Sequence, residues 1–434
     1  MAAHSRIRPA HWIVLVLVAA PAWKVAERLW RPGPRAVSAA TRAAGRELFD
    51  HEWTAGDPLA KGDGLGPVFN ARSCVECHHQ GGPGGGGPIA NNVTVYGLAT
   101  ADTHGVPRAG VVHQKAVAPE FQETLDQVHK ILPHAPSIPL SVLTDRKQPL
   151  LTEVVVTQRN TPALFGDGLI DAIPDETLVA QQREHSTAAR LVGLSRTRDG
   201  KVRGRVARLA DGRIGRFGWK LELASLNDFV KAACANELGL ANPNQPQATP
   251  LGQLAYKGKG IDLTDEQCGV MSDFIRALPA PAQTLPSGSG SIALARTGRE
   301  LFETIGCADC HTETVGPAVG IYSDLLLHDM GIELEASTGY RQLDCNVLAP
   351  LPNVPNEKFA ASQQPTPAEW RTAPLWGVAD SAPYLHDGRA ETLEEAIEHH
   401  GGEAVDVAAR FRGLSPDQRL AITTFLSTLR APSP

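Results

Sequence analysis

At 434 residues, with 42% apolar and 20% charged side chains, the chain has room for two or three domains with cores of their own. A formal charge of −6 excludes the basic footprint of a nucleic-acid-binding protein. Aromatic residues make up only 5%, which suits a core partly filled by something other than side chains.

The chain opens with Arg6 and Arg8, an unbroken apolar run from Trp12 to Ala20, and the triplet Ala20-Pro21-Ala22. This is the pattern of a signal peptide with an A-x-A cleavage site, in which the apolar run is too short to span a bilayer alone. An uncleaved membrane anchor is the alternative for residues 1–22. Lys24, Arg28, Arg31 and Arg35 follow the run and give no clear orientation. Either way the bulk of the chain is expected to be exported, to the periplasm.

A first half is expected over 38–280. It starts with "GRELF", Gly45 to Phe49, in a helix that leads to Cys74-Val75-Glu76-Cys77-His78. Two thiols one helical turn apart can each form a thioether to a haem vinyl group, and the adjacent histidine then reaches the iron as its proximal ligand. The glycine-rich "GGPGGGGP" (Gly81 to Pro88) is either backbone passing close to the porphyrin or a flexible surface loop. "VTVYG" and "GRIGRFGWKLEL" read as short strands. Between them lies the helix "ETLVAQQREH", whose face of Leu178, Gln181, Gln182 and His185 is polar. Over an iron, Gln181 and His185 could orient peroxide and move its proton; the alternative is a solvated helix face. Cys234 and Cys268 form either a disulfide or a pair of inert buried thiols. The half ends in "LTDEQCGVMSDFIRALPAP", a helix begun by the capping box Thr264-x-x-Gln267.

A Pro/Gly/Ser linker, 281–291, leads to a second half over 292–434. Here "GRELF" recurs at Gly298 to Phe302, and a second attachment motif follows, Cys307-Ala308-Asp309-Cys310-His311. "LSPDQRLAITTFLSTLRAP" matches the helix that ended the first half without a gap, again with a capping box, Ser415-x-x-Gln418. Neither motif suits the alternatives. A thioredoxin-like redox pair does not need the histidine, and no further Cys-x-x-Cys completes a zinc site. The pattern predicts two covalently attached haem c groups with His78 and His311 as proximal ligands. Each half has the plan of a class I cytochrome c domain, so the expected fold is mainly α: two such domains in tandem, the first enlarged by a long insertion with some short strands.

A haem iron ligated on both sides passes electrons, whereas one with an open side can bind peroxide or oxygen. Met271 reads as core, and Met330 in "LLLHDMG" is the remaining methionine candidate for a sixth ligand. In "ETLEEAIEHHGGEA", Leu393, Ala396, Ile397 and His400 form one face of a capped helix. Taken alone, His400 is either a satisfied histidine at a helix end or a ligand of the second iron. Cys345 is left over.

Five stretches together resemble the di-haem oxidoreductase family of peroxidase-like proteins. These relatives of bacterial di-haem cytochrome c peroxidases and MauG are sometimes labelled thiol-oxidoreductase-like. The stretches are "DGLGPVFNARSCVECHHQGG" from Asp63, "GRFGWK" from Gly215, "YSDLLLHDMG" from Tyr322, "EWRTAPLWG" from Glu369 and "YLHDGRAETLEEAIEHHGGEA" from Tyr384. The resemblance implies a reactive N-terminal haem and an electron-relaying C-terminal one, with a small cytochrome or copper protein as donor and peroxide or a related oxidant as acceptor. It places an axial ligand fourteen residues after the histidine of "HDG", which from His386 is His400. It also implies a Gln and a Pro on the distal side of the first haem, for which Gln181 and His185 are the nearest matches. The relatives' inter-haem Trp has no counterpart at Gly166-Asp167-Gly168, leaving Trp219 or Trp376 to take that place.

Overall fold

A computed structural model describes residues 36–98, 109–131, 137–139, 151–193, 202–209, 211–251, 253, 256–336 and 365–432. Residues 1–22 and Cys345 lie outside the described residues. The chain is rich in helix, with a few short strands. The main helices are α1 (Ala39–Asp50), α2 (Pro119–Ile131), α3 (Asp175–His185), α4 (Leu226–Glu237), α5 (Asp265–Arg276), α6 (Ser289–Ile305), α7 (Leu393–Glu398), α8 (Val405–Arg412) and α9 (Pro416–Leu426). The capping boxes of α5, α7 and α9 all form, so side chains satisfy backbone donors at each of these helix starts.

Two helix pairs organise the molecule, α1 against α5 and α6 against α9. The repeated pentapeptide explains both. A Cβ on Gly45 would lie 2.1 Å from the carbonyl oxygen of Val270, and one on Gly298 would lie 1.8 Å from that of Ala421. Val270 and Ala421 are the same position of the C-terminal repeat. Each glycine is therefore where two helix backbones cross in contact, and only a residue without a Cβ permits it. Four residues on, each Phe completes the crossing. Phe49 meets Phe274 with ring centroids 5.1 Å apart, and Phe302 meets Phe425 at 5.5 Å in an edge-on arrangement. Each pair also faces its motif, with Phe49 6.4 Å from the His78 ring and Phe302 6.2 Å from that of His311.

The two cores differ in reach. The core around α6 and α9 is small and includes Phe302, Ile305, Phe411, Ile422 and Phe425. The core around α1 and α5 extends over α3 and α4 and takes in Val315, Ile321, Leu325, Leu326 and Trp376 from beyond the linker. The linker itself is shorter than the composition implied. Ser289 to Ser291 already belong to α6, and Gln283 and Thr284 pair with the backbone of Leu429 and Thr428.

The insertion holds an antiparallel four-stranded sheet: β1 (Val93–Leu98), β2 (Ala109–Val112), β3 (Ser137–Pro139) and β4 (Leu151–Arg159), in the order β2-β1-β4-β3. "VTVYG" is β1, paired with β4 from Val93 opposite Arg159 to Leu98 opposite Val154. "GRIGRFGWKLEL" is no strand. It folds as a tight loop with bridges Arg208 to Ile214 and Phe217 to Leu223, because Leu221 adopts φ 56° and turns the chain back.

That loop clasps the second half. Lys220 Nζ donates to the carbonyls of Thr366, Pro367 and Glu369, and the ammonium stands 3.9 Å from the Trp370 ring centroid. Arg205 forms a two-pronged ion pair with Glu369 and exchanges backbone hydrogen bonds with Leu327. It thereby flanks the ribbon of β5 (Leu327–Asp329) and β6 (Glu369–Arg371). A second clasp surrounds the 382–387 turn. The amides of Gln80, Asn160 and Asn92 donate to the carbonyls of Ala382 (2.8 Å), Pro383 (2.6 Å) and Asp387 (2.9 Å).

Candidate haem sites

The first motif forms a single turn, Cys74–Cys77, capped by the Ser73 side chain. This turn sets the two sulfurs on one side, with His78 directly after them. The glycine run is not a free surface loop. Gly84 to Gly87 are buried and fold back on the motif. A Cβ on Gly85 would lie 1.7 Å from Gln80 O, and one on Gly87 2.5 Å from Cys77 O. This close packing delivers the Gly85 carbonyl to His78 Nδ1 at 3.2 Å.

At the second motif, Cys307–Asp309 form a 3-10 turn, and His311 Nδ1 bonds the carbonyl of Tyr322 at 2.9 Å. Tyr322 has φ 47° and Leu325 φ 56°, so this loop holds left-handed backbone at two residues that carry side chains. His400 follows α7, with its Nδ1 2.8 Å from the Ala396 carbonyl one turn back. All three imidazoles thus present Nδ1 to a backbone carbonyl. At His311 and His400 the Nδ1–H is fixed there and Nε2 is left as the ligating atom, the usual arrangement for a metal-bound histidine, while His78 has the Pro162 carbonyl as a second backbone partner.

The protonation states agree. Burial holds His78 and His311 down at about 4, and it also lowers His400, so all three are neutral donors at pH 7. Burial pushes Cys74 and Cys307 up to about 12 and Cys77 to about 11. Thiols so reluctant to ionise make poor redox nucleophiles. Cys234 and Cys268 are buried and unbridged, and burial raises both thiols. Of the two readings of that pair, inert core thiols is the one the structure supports.

The residues present fit two haems. His311 and His400 face each other with ring centroids 6.4 Å apart. Imidazole–metal bonds of about 2.0–2.1 Å, with each nitrogen about 1 Å from its ring centre, put two rings on one metal about 6 Å apart. The rings border a cavity of about 270 Å³ whose wall includes Cys307, Cys310, Leu375, Tyr384, Ile397 and Val407. Met330 also reaches this cavity, but it packs against the cluster of Leu334, Ala336 and Trp370, and the ring opposite His311 is that of His400. Among the described residues the His78 ring meets Phe49 and no second imidazole.

The same cavity extends toward the first half along Thr161, Ala163, Phe165 and Asp167. Trp376 and Trp219 both line it. Gly166 lies so close to Trp376 that a Cβ there would sit 2.4 Å from the indole, and Trp219 Nε1 donates to Asn160 O at 2.9 Å. Burial raises the Asp167 carboxyl to about 8 despite the nearby Arg371.

Gln181 is buried on α3. His185, at the end of that helix, is placed with Asp324 and His328 of the second half, and His328 lies 3.8 Å from Cys310 Sγ. The structure therefore does not join Gln181 and His185 as a pair over the first motif. The carbonyls of Gly85 and Tyr322 and the His185–Asp324–His328 group were not apparent from the sequence. The glycine run marked the first of these, and nothing local marked the others.

Residues 356–429 match the model of the family described as di-haem oxidoreductase, putative peroxidase. The resemblance read from the motifs therefore holds over the segment that carries His386 and His400. The gamma subunit of hydrazine synthase from Kuenenia stuttgartiensis is 28% identical over 134 residues, which are 29% of this chain and 38% of that subunit, so well under half of that relative is matched. Among solved structures, hydrazine synthase of the same organism aligns over 99% of both chains at 13% identity, with a TM-score of 0.40. The dihaem peroxidase BthA of Burkholderia thailandensis aligns over 91% of this chain and 86% of its own, at 14% identity and a TM-score of 0.40. A MauG-like protein associated with microbial copper homeostasis aligns over 60% of this chain and 90% of its own, at 17% identity and a TM-score of 0.30. Similarity at that level leaves the functional reading to the residues of this chain.

Proposed function

We propose that this chain is an exported di-haem c-type cytochrome acting as a peroxidase-like oxidoreductase, built from two class I cytochrome c-like domains in tandem. One observation carries the reading. The two attachment motifs are alike up to their histidines and differ in what stands opposite, since His311 faces His400 and His78 faces no imidazole among the described residues. When bound, each haem supplies an iron that takes or gives one electron, and an iron ligated from one side only can bind peroxide.

The chain's own residues do the rest. His78 and His311 offer neutral Nε2 atoms oriented by the Gly85 and Tyr322 carbonyls. His400 closes the second site, which suits it to relaying electrons. Phe49 and Phe302 pack beside the proximal histidines and exclude water from them. Asp167 is protonated at neutral pH and buried in the cavity wall, so it holds a transferable proton between the two halves. Gln181 remains a candidate polar group for the distal side of the first site. Electrons would enter at the second site from a small cytochrome or copper protein in the periplasm.

Electron paramagnetic resonance of the oxidised protein tests the proposal. One low-spin signal from the second iron and one high-spin signal from the first are expected. Two low-spin signals without high-spin iron would make the chain a pure electron carrier and overturn the peroxidase reading.

A further inference from the structure

Behind the second motif three side chains meet: His185 from the end of α3, Asp324 from the loop after the motif, and His328 from β5. Their exposures are 1%, 0% and 2%. One ligand atom from each lies within 4.8 Å of the others. We propose that this group is a third metal site, separate from the two haem irons, which binds a divalent first-row transition-metal ion through two imidazole nitrogens and one carboxylate oxygen.

The donor set is the first support. Two histidines and one carboxylate suit Zn²⁺ or Fe²⁺ and leave coordination positions open. The spacing is the second. His185 Nε2 is 3.6 Å and His328 Nε2 is 2.9 Å from Asp324 Oδ2. Ligands on one ion at bond lengths of about 2.0–2.1 Å stand about 3.3 Å apart in tetrahedral geometry, so the observed separations bracket a coordinating arrangement.

The surroundings are the third. His328 Nδ1 bonds Glu403 Oε2 at 2.9 Å, which fixes the ring so that the Nε2 lone pair points at Asp324. A carboxylate behind a histidine ligand in this way is the common outer partner of a metal site. Glu403 is itself held by the backbone N–H of Arg203 at 2.7 Å. On Asp324, Oδ1 is occupied by the Leu326 N–H at 3.0 Å, which leaves Oδ2 for an ion. The backbone at Gly204 also makes room, since a Cβ there would stand 2.5 Å from His328 Nε2. Without an ion, His328 must carry the positive charge that balances the buried Asp324 and Glu403. That is the competing arrangement.

Metal analysis of the haem-loaded full chain separates the two. Haem is counted by its reduced pyridine spectrum, and total iron and zinc by mass spectrometry. Both are measured as purified and after equilibration with Zn²⁺ or, anaerobically, with Fe²⁺. One divalent ion per chain beyond the haem iron is expected, and Asp324→Asn and His185→Ala should lose it. Glu403→Gln lies outside the ligand set and guards against variants that fail to fold; it should keep both haems and bind the ion 10–100-fold more weakly. Haem iron alone in the equilibrated wild type overturns the proposal and leaves an imidazolium between two carboxylates. An extra ion retained in a folded Asp324→Asn variant also overturns it.

Discussion

The two attachment motifs perform one task with different materials. Both histidines need a carbonyl at Nδ1. The first half supplies it from Gly85, in a loop whose glycines press against Gln80 and Cys77. The second supplies it from Tyr322, a residue with a side chain held at φ 47°. Left-handed backbone costs a non-glycine residue about 1–2 kcal/mol, which the buried Tyr322 ring offsets by packing edge-on to Phe302 and Phe425. The first half spends its extra length on a sheet and a clasp, whereas the second stays compact and adds His400. The support behind each motif histidine is thus shared between the halves, and under the proposed function any difference in reactivity would lie on the far side of each histidine.

The largest expected effect on that comparison comes from cutting one attachment at a time. Replacing Cys74 and Cys77 by Ser should remove one haem, seen as its mass lost from the intact protein and as a fall of about half in the Soret band. Only the high-spin signal should disappear. The matching change at Cys307 and Cys310 should remove the low-spin signal instead, and if both variants lost the same signal, the two sites would not be unlike.

Next in size is His400→Ala. The second iron should turn high-spin while the first is untouched, and an unchanged low-spin spectrum would remove His400 as the ligand. Smaller still are Gly298→Ala and Gly45→Ala. A methyl group forced against a helix backbone should cost about 1–3 kcal/mol at either crossing, read as a lower urea midpoint. The tighter approach at Gly298 predicts the greater loss there.

The last comparison concerns pH. Asp167 titrates at about 8 in the folded chain and near 3.8 unfolded, so between these values the folded state holds one more proton. Its contribution is full below pH 3.8 and is lost as pH rises through 8, with a slope of up to about 1.4 kcal/mol per pH unit. Asp167→Asn should flatten the fall of melting temperature across that window, and an unaltered slope would mean the carboxyl is already ionised.

Much of the helical frame was legible because its signals are local. The capping boxes at Thr264, Thr392 and Ser415 all formed, and the repeated "GRELF" marked the two matching helices, whereas the role of their glycines as crossing points emerged only with the packing. At His400 the helix periodicity left two readings open, and the haem motifs together with the count of fourteen residues from His386 implied by the family resemblance favoured a ligand. What was hidden depends on pairs distant in sequence. The apolar and turn residues of "GRIGRFGWKLEL" look like strands, yet the loop is shaped by partners about 150 residues away, at Thr366 to Arg371. His185 read as belonging to the first half because the register of its helix matched that of His400. Its neighbours Asp324 and His328 come from the other copy, and no periodicity reports a contact across copies.

The clasp around the 382–387 turn has a consequence for wiring. Gln80, Asn92 and Asn160 grip backbone carbonyls next to His386, so the spacing between the two motifs is set by these hydrogen bonds and the shared core rather than by the linker. Lengthening that linker, or cutting it near Leu285, should leave the distance between His78 and His311 unchanged. The two halves repeat one plan in sequence, yet the shared core and the clasp pack them against each other.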